Sequence, residues 1–390
     1  MARDSIPESL YSVKTAPTKS TRALASTETF LLAGIASIAK DGIDQVTVSK
    51  VTALAKSTRP TFYSLFGNLE GLFADIWVSQ GDWFLHNLAD PEFRFEISSQ
   101  ESQSRMRALL EIFTVSHRFS EVAEVLEPMV SRWWSANTKG QEYSQLKFAW
   151  LTGQRIGSWL TYPIEPKALL AGFVGAVIQN LGDHAQSTAL PLDQVKLPLL
   201  SDPKMADESI DNQLLDAAIR VISRVGVVNA SMSRISRYAR VSTGTVYPRF
   251  KNHEALFLAS FTRAISAIVE ENFAQVKPAG FTTDDFGLIT SAGLQEGRKV
   301  WRNYRVEMHL TARTNSRLAE SIRTALTLTN ERVSSGMGLL PISKTEREAV
   351  AFLVHTIGIG LAVLLNARIR VDELDHRLIT RDMVQELQKR

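Results

Sequence analysis

The chain has no cysteine. Disulfides, thiolate-held zinc, iron–sulfur clusters and thiol nucleophiles are therefore excluded. It also has little charge of one sign: 44 Lys and Arg stand against 41 Asp and Glu, a formal net charge of +3. It is no polycation, so affinity for nucleic acid has to come from local clustering of charge. Catalytic signatures are missing too. His86, His117, His184, His253, His309, His355 and His376 are scattered, and no HExxH, P-loop or GxSxG pattern occurs. The reading is a non-enzyme with no cofactor and no metal. The start, Met1 to Ser26, is polar and lacks the apolar run of a targeting segment, so a cytoplasmic protein is expected. Long hydrophobic runs are scarce. Ala349 to Ala367 (AVAFLVHTIGIGLAVLLNA) has bilayer length, but His355, Thr356 and Asn366 interrupt it and Glu346, Arg347 and Glu348 abut it. A helix buried on all sides gives the same pattern, and no membrane partner is expected.

What is present is length and repetition. With 390 residues the chain exceeds one ordinary core. Residues 27–73 align without a gap on 211–257, at a constant offset of 184, with 14 identical positions. Among them are Leu31/Leu215, Ile35/Ile219, Gly42/Gly226, Tyr63/Tyr247, Phe66/Phe250, Asn68/Asn252 and Glu70/Glu254. The offset is about half the chain, which indicates duplication of a whole domain rather than a solenoid. Between the copies, residues 186–209 hold Pro191, Pro198 and Pro203 among Asp, Ser and Lys, and read as a linker.

Each copy reads as short helices. Leu31, Ile35 and Ile38 recur at helical spacing before Gly42, as do Leu215, Ile219 and Ile222 before Gly226. Thr47 and Ser231 suit the cap of a second helix, and Thr58 and Ser242 that of a third. Two short helices joined by a tight turn are a helix-turn-helix. The segments TVSKVTALAKSTRPTFYSLFGNLEGLF and SMSRISRYARVSTGTVYPRFKNHEALF resemble the DNA-binding domain of the TetR family of regulators, the second more closely. The departures are Lys56 and Arg240 where that family has Gly in the turn, and Leu69 and His253 where it has Lys. Pro60 falls in the first turn of the third helix, where proline is tolerated; Pro248 lies later and should cost a hydrogen bond or end its helix early.

The resemblance implies an all-α chain of two units. Each has a three-helix head and a helical regulatory region, and the two pair as an intramolecular pseudo-dimer, with further oligomerisation left open. The expected divisions are a disordered basic tail (1–26), head one (27–75), regulatory region one (76–185), the linker (186–209), head two (210–260) and regulatory region two (261–390). It implies a double-stranded DNA operator as partner, a small hydrophobic effector, and a ligand-responsive repressor. An adaptor, or a binder whose first head has lost DNA affinity, is the alternative.

Expected DNA contacts follow from the motif. Arg59, Pro60 and Thr61 lead the third helix of head one, and Thr243, Gly244 and Thr245 that of head two. Arg59 suits guanine, and threonine suits bases or the thymine methyl. Tyr63, Tyr247 and His253 stand where the family contacts phosphate. Thr47 and Ser231 lie at helix N-termini that favour an anion. Lys50, Arg234 and Lys251 add charge. Tyr63 and Tyr247 have core packing as their alternative. Residues 36–73 hold four basic and three acidic residues, whereas residues 220–257 hold seven basic and one acidic. Head two is therefore expected to supply more phosphate affinity. Lys14, Lys19 and Arg22 form a basic arm or a plain disordered terminus.

Six of the seven Trp lie in unit one. Phe113, Trp133, Trp134 and Trp150 are its candidate effector-binding residues, with plain core as the alternative. Two glycine-bearing stretches read as interface helices. One is Phe148–Tyr162 followed by Ala168–Leu181; the other is Ala349–Ala367.

Overall fold

The computed structural model describes residues 21–95, 98–185, 202, 209–274, 280–338, 340 and 342–390. Lys14, Lys19 and all but two residues of the expected linker lie outside these. The described residues are helical throughout, with no strand.

Unit one begins with α1 (Thr21–Asp41), which starts inside the expected tail, six residues before the boundary read from the repeat. Gly42, at φ 87°, ends it. Then come α2 (Val48–Leu54) and α3 (Arg59–Phe66), capped by Thr47 and Thr58 side chains, and α4 (Leu69–Ala89), capped by Asn68. The body of the unit is α5 (Gln100–Val115), α6 (Ser120–Thr138), α7 (Glu142–Thr161) and α8 (Ala171–Gln179).

Unit two repeats the plan. Helix α9 (Ile210–Val225) ends at Gly226, φ 77°. It is followed by α10 (Met232–Tyr238), α11 (Thr243–Val246) and α12 (His253–Ala274). The body is α13 (Thr283–Leu294), α14 (Lys299–Ala312), α15 (Ser316–Gly336), α16 (Lys344–Asn366) and α17 (His376–Gln388). Helices α4 and α12 each run from head into body, so the expected boundaries at 75 and 260 fall inside continuous helices. Helix α13 has no counterpart among the described residues of unit one. Beyond it the two units align again at an offset of 196, pairing Glu111 with Glu307, Ser120 with Ser316 and Glu124 with Glu320.

The apolar core is not divided at the linker. One continuous cluster runs from head one through α7 and α8 to α13, α16 and α17. A second lies beneath head two and takes in Ile164 from unit one. The apolar stretch of α16 is mostly buried against α7, α8 and α15, which accounts for its membrane-like composition. The two sets of expected interface helices thus pack on each other. Their backbones meet at glycine: a Cβ on Gly157 would run into the carbonyl of Thr356, and one on Gly360 into that of Gly153.

Charged and polar groups cross between the units as well. Arg118 reaches Glu307 (3.3 Å) and Asp44 (3.0 Å), and Arg313 pairs with Glu111. Glu111 also accepts from the amide of Ile43 (2.6 Å), at the foot of head one. These side chains are nearly all buried. Nearby charge does not overcome desolvation at Glu307, whose carboxyl is pushed up to about 8 by burial. Between α7 and α17, Trp150 Nε1 donates to His376 Nδ1 (2.8 Å) while His376 Nε2 donates to the carbonyl of Val371 (2.9 Å). That arrangement needs a neutral imidazole, and burial holds His376 down to about 4.

Two predictions follow from this packing. Gly157→Ala should destabilise the chain by about 1–3 kcal/mol through overpacking. Gly172→Ala, with open space around its Cβ, should add about 0.5–1 kcal/mol of helix propensity. Urea unfolding of the two variants checks this; equal shifts would contradict it. The second concerns acid. An unfolded His takes up a proton near pH 6.5 and the buried one only near pH 4, so stability falls as pH drops between these values. His376→Gln, whose side-chain oxygen can still accept from Trp150, should remove about 2 kcal/mol of the loss between pH 7 and pH 5. Identical losses in both proteins would contradict the assignment.

Candidate nucleic-acid interface

Head one leaves Thr47, Lys50, Arg59, Pro60 and Tyr63 exposed and Thr61 partly so. Thr47 Oγ1 accepts from the amide of Lys50 (3.3 Å), and Thr58 Oγ1 from that of Thr61 (3.4 Å). Pro60 sits in the first turn of α3, as its spacing predicts. Arg59 Nη2 donates to Ser49 Oγ (2.7 Å), bridging α3 to α2. Lys50 is engaged by Asp41 (2.9 Å) and the carbonyl of Gln45 (3.0 Å). Phe62 and Phe66 fill the core beneath α3 with Phe30.

Head two has the same frame with a shorter third helix. Ser231 Oγ accepts from the amide of Arg234 (3.3 Å), and Arg234 Nη1 donates to the carbonyl of Asn229 (3.2 Å). Helix α11 is one turn long, half the eight residues of α3, because Pro248 stops it. Thr243 meets Ser236 (3.3 Å), Thr245 meets Ser242 (2.8 Å), and Gly244 lies exposed between them. Tyr63 and Tyr247 are 52% and 58% exposed. The core alternative for both tyrosines is thereby removed.

The turn explains one departure from the expected pattern. Lys56 and Arg240 adopt φ 47° and 58°, in the left-handed region. A glycine would enter that region freely, and here non-glycine residues fill it at a cost of about 1–2 kcal/mol each.

His253 differs from expectation. Its Nε2 accepts from the amide of Met232 (2.9 Å), capping α10, and its ring stacks on Phe257. Nε2 is thus committed to the fold, while the residue itself stays exposed. The basic excess of head two is partly internal too: Arg249 is held by Asp211 (2.7 Å) and Arg220 by Asp216 (2.8 Å). Arg234, Arg237, Arg240 and Lys251 remain on the exposed surface.

Sequence reasoning missed the links from head to body. Glu70 accepts from the amide of Glu121 (2.7 Å) at the start of α6. At the equivalent position Glu254 pairs with Arg317 (2.8 Å) near the start of α15. Identity of Glu70 and Glu254 across the repeat was the available signal.

Phe113, Trp133, Trp134 and Trp150 do not converge on one cavity. Phe113 is buried and stacks on Trp77 (5.6 Å); Trp133 and Trp134 pack around Phe148; Trp150 bonds His376. Trp134 lines a cleft of mixed polarity beside Arg368 and Arg370. An apolar cavity of about 150 Å³ lies instead in unit two, between α12, α13, α14, α15 and α16.

Residues 214–260 match the family described as bacterial regulatory proteins, tetR family. Head two is thus similar to the helix-turn-helix domain of that family. Two curated relatives are similar. The fatty acid metabolism regulator protein of Bacillus subtilis is 29% identical over 79 residues, 20% of this chain and 41% of that protein. An uncharacterized HTH-type transcriptional regulator of Haemophilus influenzae is 26% identical over 124 residues, 30% of this chain and 59% of that protein. The chain thus spans about half the length of these relatives. A solved transcriptional regulator from Rhodococcus covers 46% of this chain and 97% of its own, with a TM-score of 0.41 and 19% identity. Transcriptional regulators of the tetR type are DNA-binding proteins and not enzymes.

His253→Ala should therefore weaken head two by about 0.5–1.5 kcal/mol, the worth of one hydrogen bond, without altering the salt dependence of DNA binding. Paired measurements of thermal unfolding and of affinity against salt check this. An unchanged stability with a shallower salt slope would restore the phosphate role.

Proposed function

We propose that the chain is a soluble, cytoplasmic, sequence-specific transcriptional regulator, an effector-responsive repressor whose two heads read one DNA duplex as an intramolecular pseudo-dimer. The observation that carries this is the occurrence, twice in one chain, of a helix-turn-helix whose second helix is capped, by Thr47 or Ser231, and whose third presents an exposed Tyr. Thr47, Lys50, Arg59, Pro60, Thr61 and Tyr63 form the contact surface of head one. Ser231, Arg234, Thr243, Gly244, Thr245, Tyr247 and Lys251 form that of head two. The packing of α7 and α8 on α16, and the crossed pairs Arg118–Glu307 and Arg313–Glu111, support a fixed relation between the heads. Helix α4 or α12, continuous from head into body, is the element by which an effector would bias that relation. Such coupling requires the effector to bind two states unequally.

A second reading keeps DNA binding but assigns it to head two alone. The family match at 214–260, and the engagement of Lys50 and Arg59 within head one, favour it.

One experiment separates the two readings. The full chain is bound, at stated salt, to an oligonucleotide selected for tight binding, and the mass of the complex is measured. One chain per duplex is expected. Arg234→Ala with Lys251→Ala should flatten the salt slope by up to about 1.8, near 0.9 for each lost phosphate contact. Lys50→Ala with Arg59→Ala should also weaken binding, by less. Full affinity in that second variant would leave head two as the sole reader, and two chains per duplex would overturn the pseudo-dimer.

A further inference from the structure

The cavity in unit two has a composition that packing alone does not explain. Its walls are mostly apolar, with Ile268, Phe281, Phe286, Ile289, Val333 and Leu361 among them. Yet Arg298, Arg302 and Arg305 all line it. Arg298 pairs with Glu271 (2.8 Å), and Arg302 donates to the carbonyls of Gly293 (3.0 Å) and Gln295. Arg305 has no ion pair and no side-chain hydrogen bond among the described residues. Burial, with Arg298 beside it, holds its guanidinium down to about 10. Asn330, at the same cavity, has both side-chain polar atoms buried without a partner. A cation and an amide left unpaired in an apolar space are costly unless something else pairs with them.

Comparison of the two units makes the point sharper. At the offset of 196, Arg305 occupies the position of Leu109, which is fully buried in unit one. Unit one fills the corresponding space with Trp77, Phe84 and Phe113, their rings in mutual contact. Unit two has Phe261, Ile268 and His309 at these positions, which are smaller, and adds α13 as an extra wall. One half of the repeat has been closed with aromatic rings. The other has been opened, walled and given a charge.

We propose that this cavity binds an amphipathic organic anion, a carboxylate on an apolar body, with Arg305 and Asn330 receiving the carboxylate. A cavity of about 150 Å³ is near the size that admits a benzene ring. It shares Ile265, Val269 and Thr329 with a cleft of about 400 Å³ between α12 and α15, which extends the room for a chain of several carbons. Arg298, Arg302 and Arg305 favour the anion, and the apolar walls favour its body. Regulation by this anion rests on the reading of the chain as an effector-responsive regulator; binding itself does not.

Calorimetry on the full chain tests it, with octanoate and phenylacetate as probes, octanol and octylamine as matched controls, and Arg305→Leu as the variant. That substitution installs the residue unit one has at the equivalent position, so it should fold, with a melting temperature equal to or above the parent's. At least one carboxylate should bind the parent at least tenfold more tightly than octanol or octylamine. Arg305→Leu should lose that preference and keep its affinity for octanol. Failure of both carboxylates to bind, equal affinity for octanol, or unchanged carboxylate binding in Arg305→Leu would each overturn the proposal. DNA affinity is measured in the same samples without ligand. DNA binding by a chain that ignores both carboxylates would remove this inference alone, and absence of DNA binding would remove the functional reading alone.

Discussion

The constraint on which the rest of the structure depends is the close approach of α7 and α16. At Gly157 against Thr356, and at Gly153 against Gly360, there is no room for a single added carbon. Helices that come this near align their flanking apolar side chains into one continuous core. Here that core joins helices separated by nearly two hundred residues of chain. The crossed pairs of Arg118 with Glu307 and of Arg313 with Glu111 sit closer to the heads and depend on this register. A buried ion pair such as Arg313 with Glu111 adds little stability when intact but costs about 3–5 kcal/mol when one partner is lost, whereas the Glu307 carboxyl, pushed up to about 8 by burial, meets Arg118 largely uncharged. Their burial makes slippage between the two sets of helices expensive.

The two units share a plan and differ in what they have done with it. Unit one has spent its aromatic residues on a filled interior, and its head engages Lys50 and Arg59 within itself. Unit two carries the exposed basic surface, a third helix cut to one turn by Pro248, and the open interior walled by α13. A symmetric dimer of identical chains could not divide labour this way, because every change would appear in both halves. Two unlike halves within one chain permit it.

Much of this was legible in the residues. Gly42 and Gly226 end their helices, Thr47, Ser231 and Thr58 cap theirs, and Pro248 shortens α11, because each acts locally on the backbone next to it. The glycines of α7 and α16 marked helices that approach closely. Other features were not legible, because they depend on distant partners. The comparison at an offset of 184 ends with the heads, so the pairing of Glu111 with Glu307 at 196 lay hidden behind the inserted α13. His253 sits one hydrogen bond from Met232, a contact no spacing rule supplies. Tryptophan abundance pointed to unit one for a cavity, whereas large rings had filled the space there. The cavity's signal was Arg305, in a helix whose counterpart carries Leu109 at that position.

The central claim is that one chain holds two heads in a fixed relation that suits a single duplex. Hydroxyl-radical footprinting of the chain on its selected DNA, at one chain per duplex, tests it directly. Two protected patches on one face, about one helical turn (~10 base pairs) apart or a whole multiple of it, are predicted. A single patch, or two patches on opposite faces, would contradict the account.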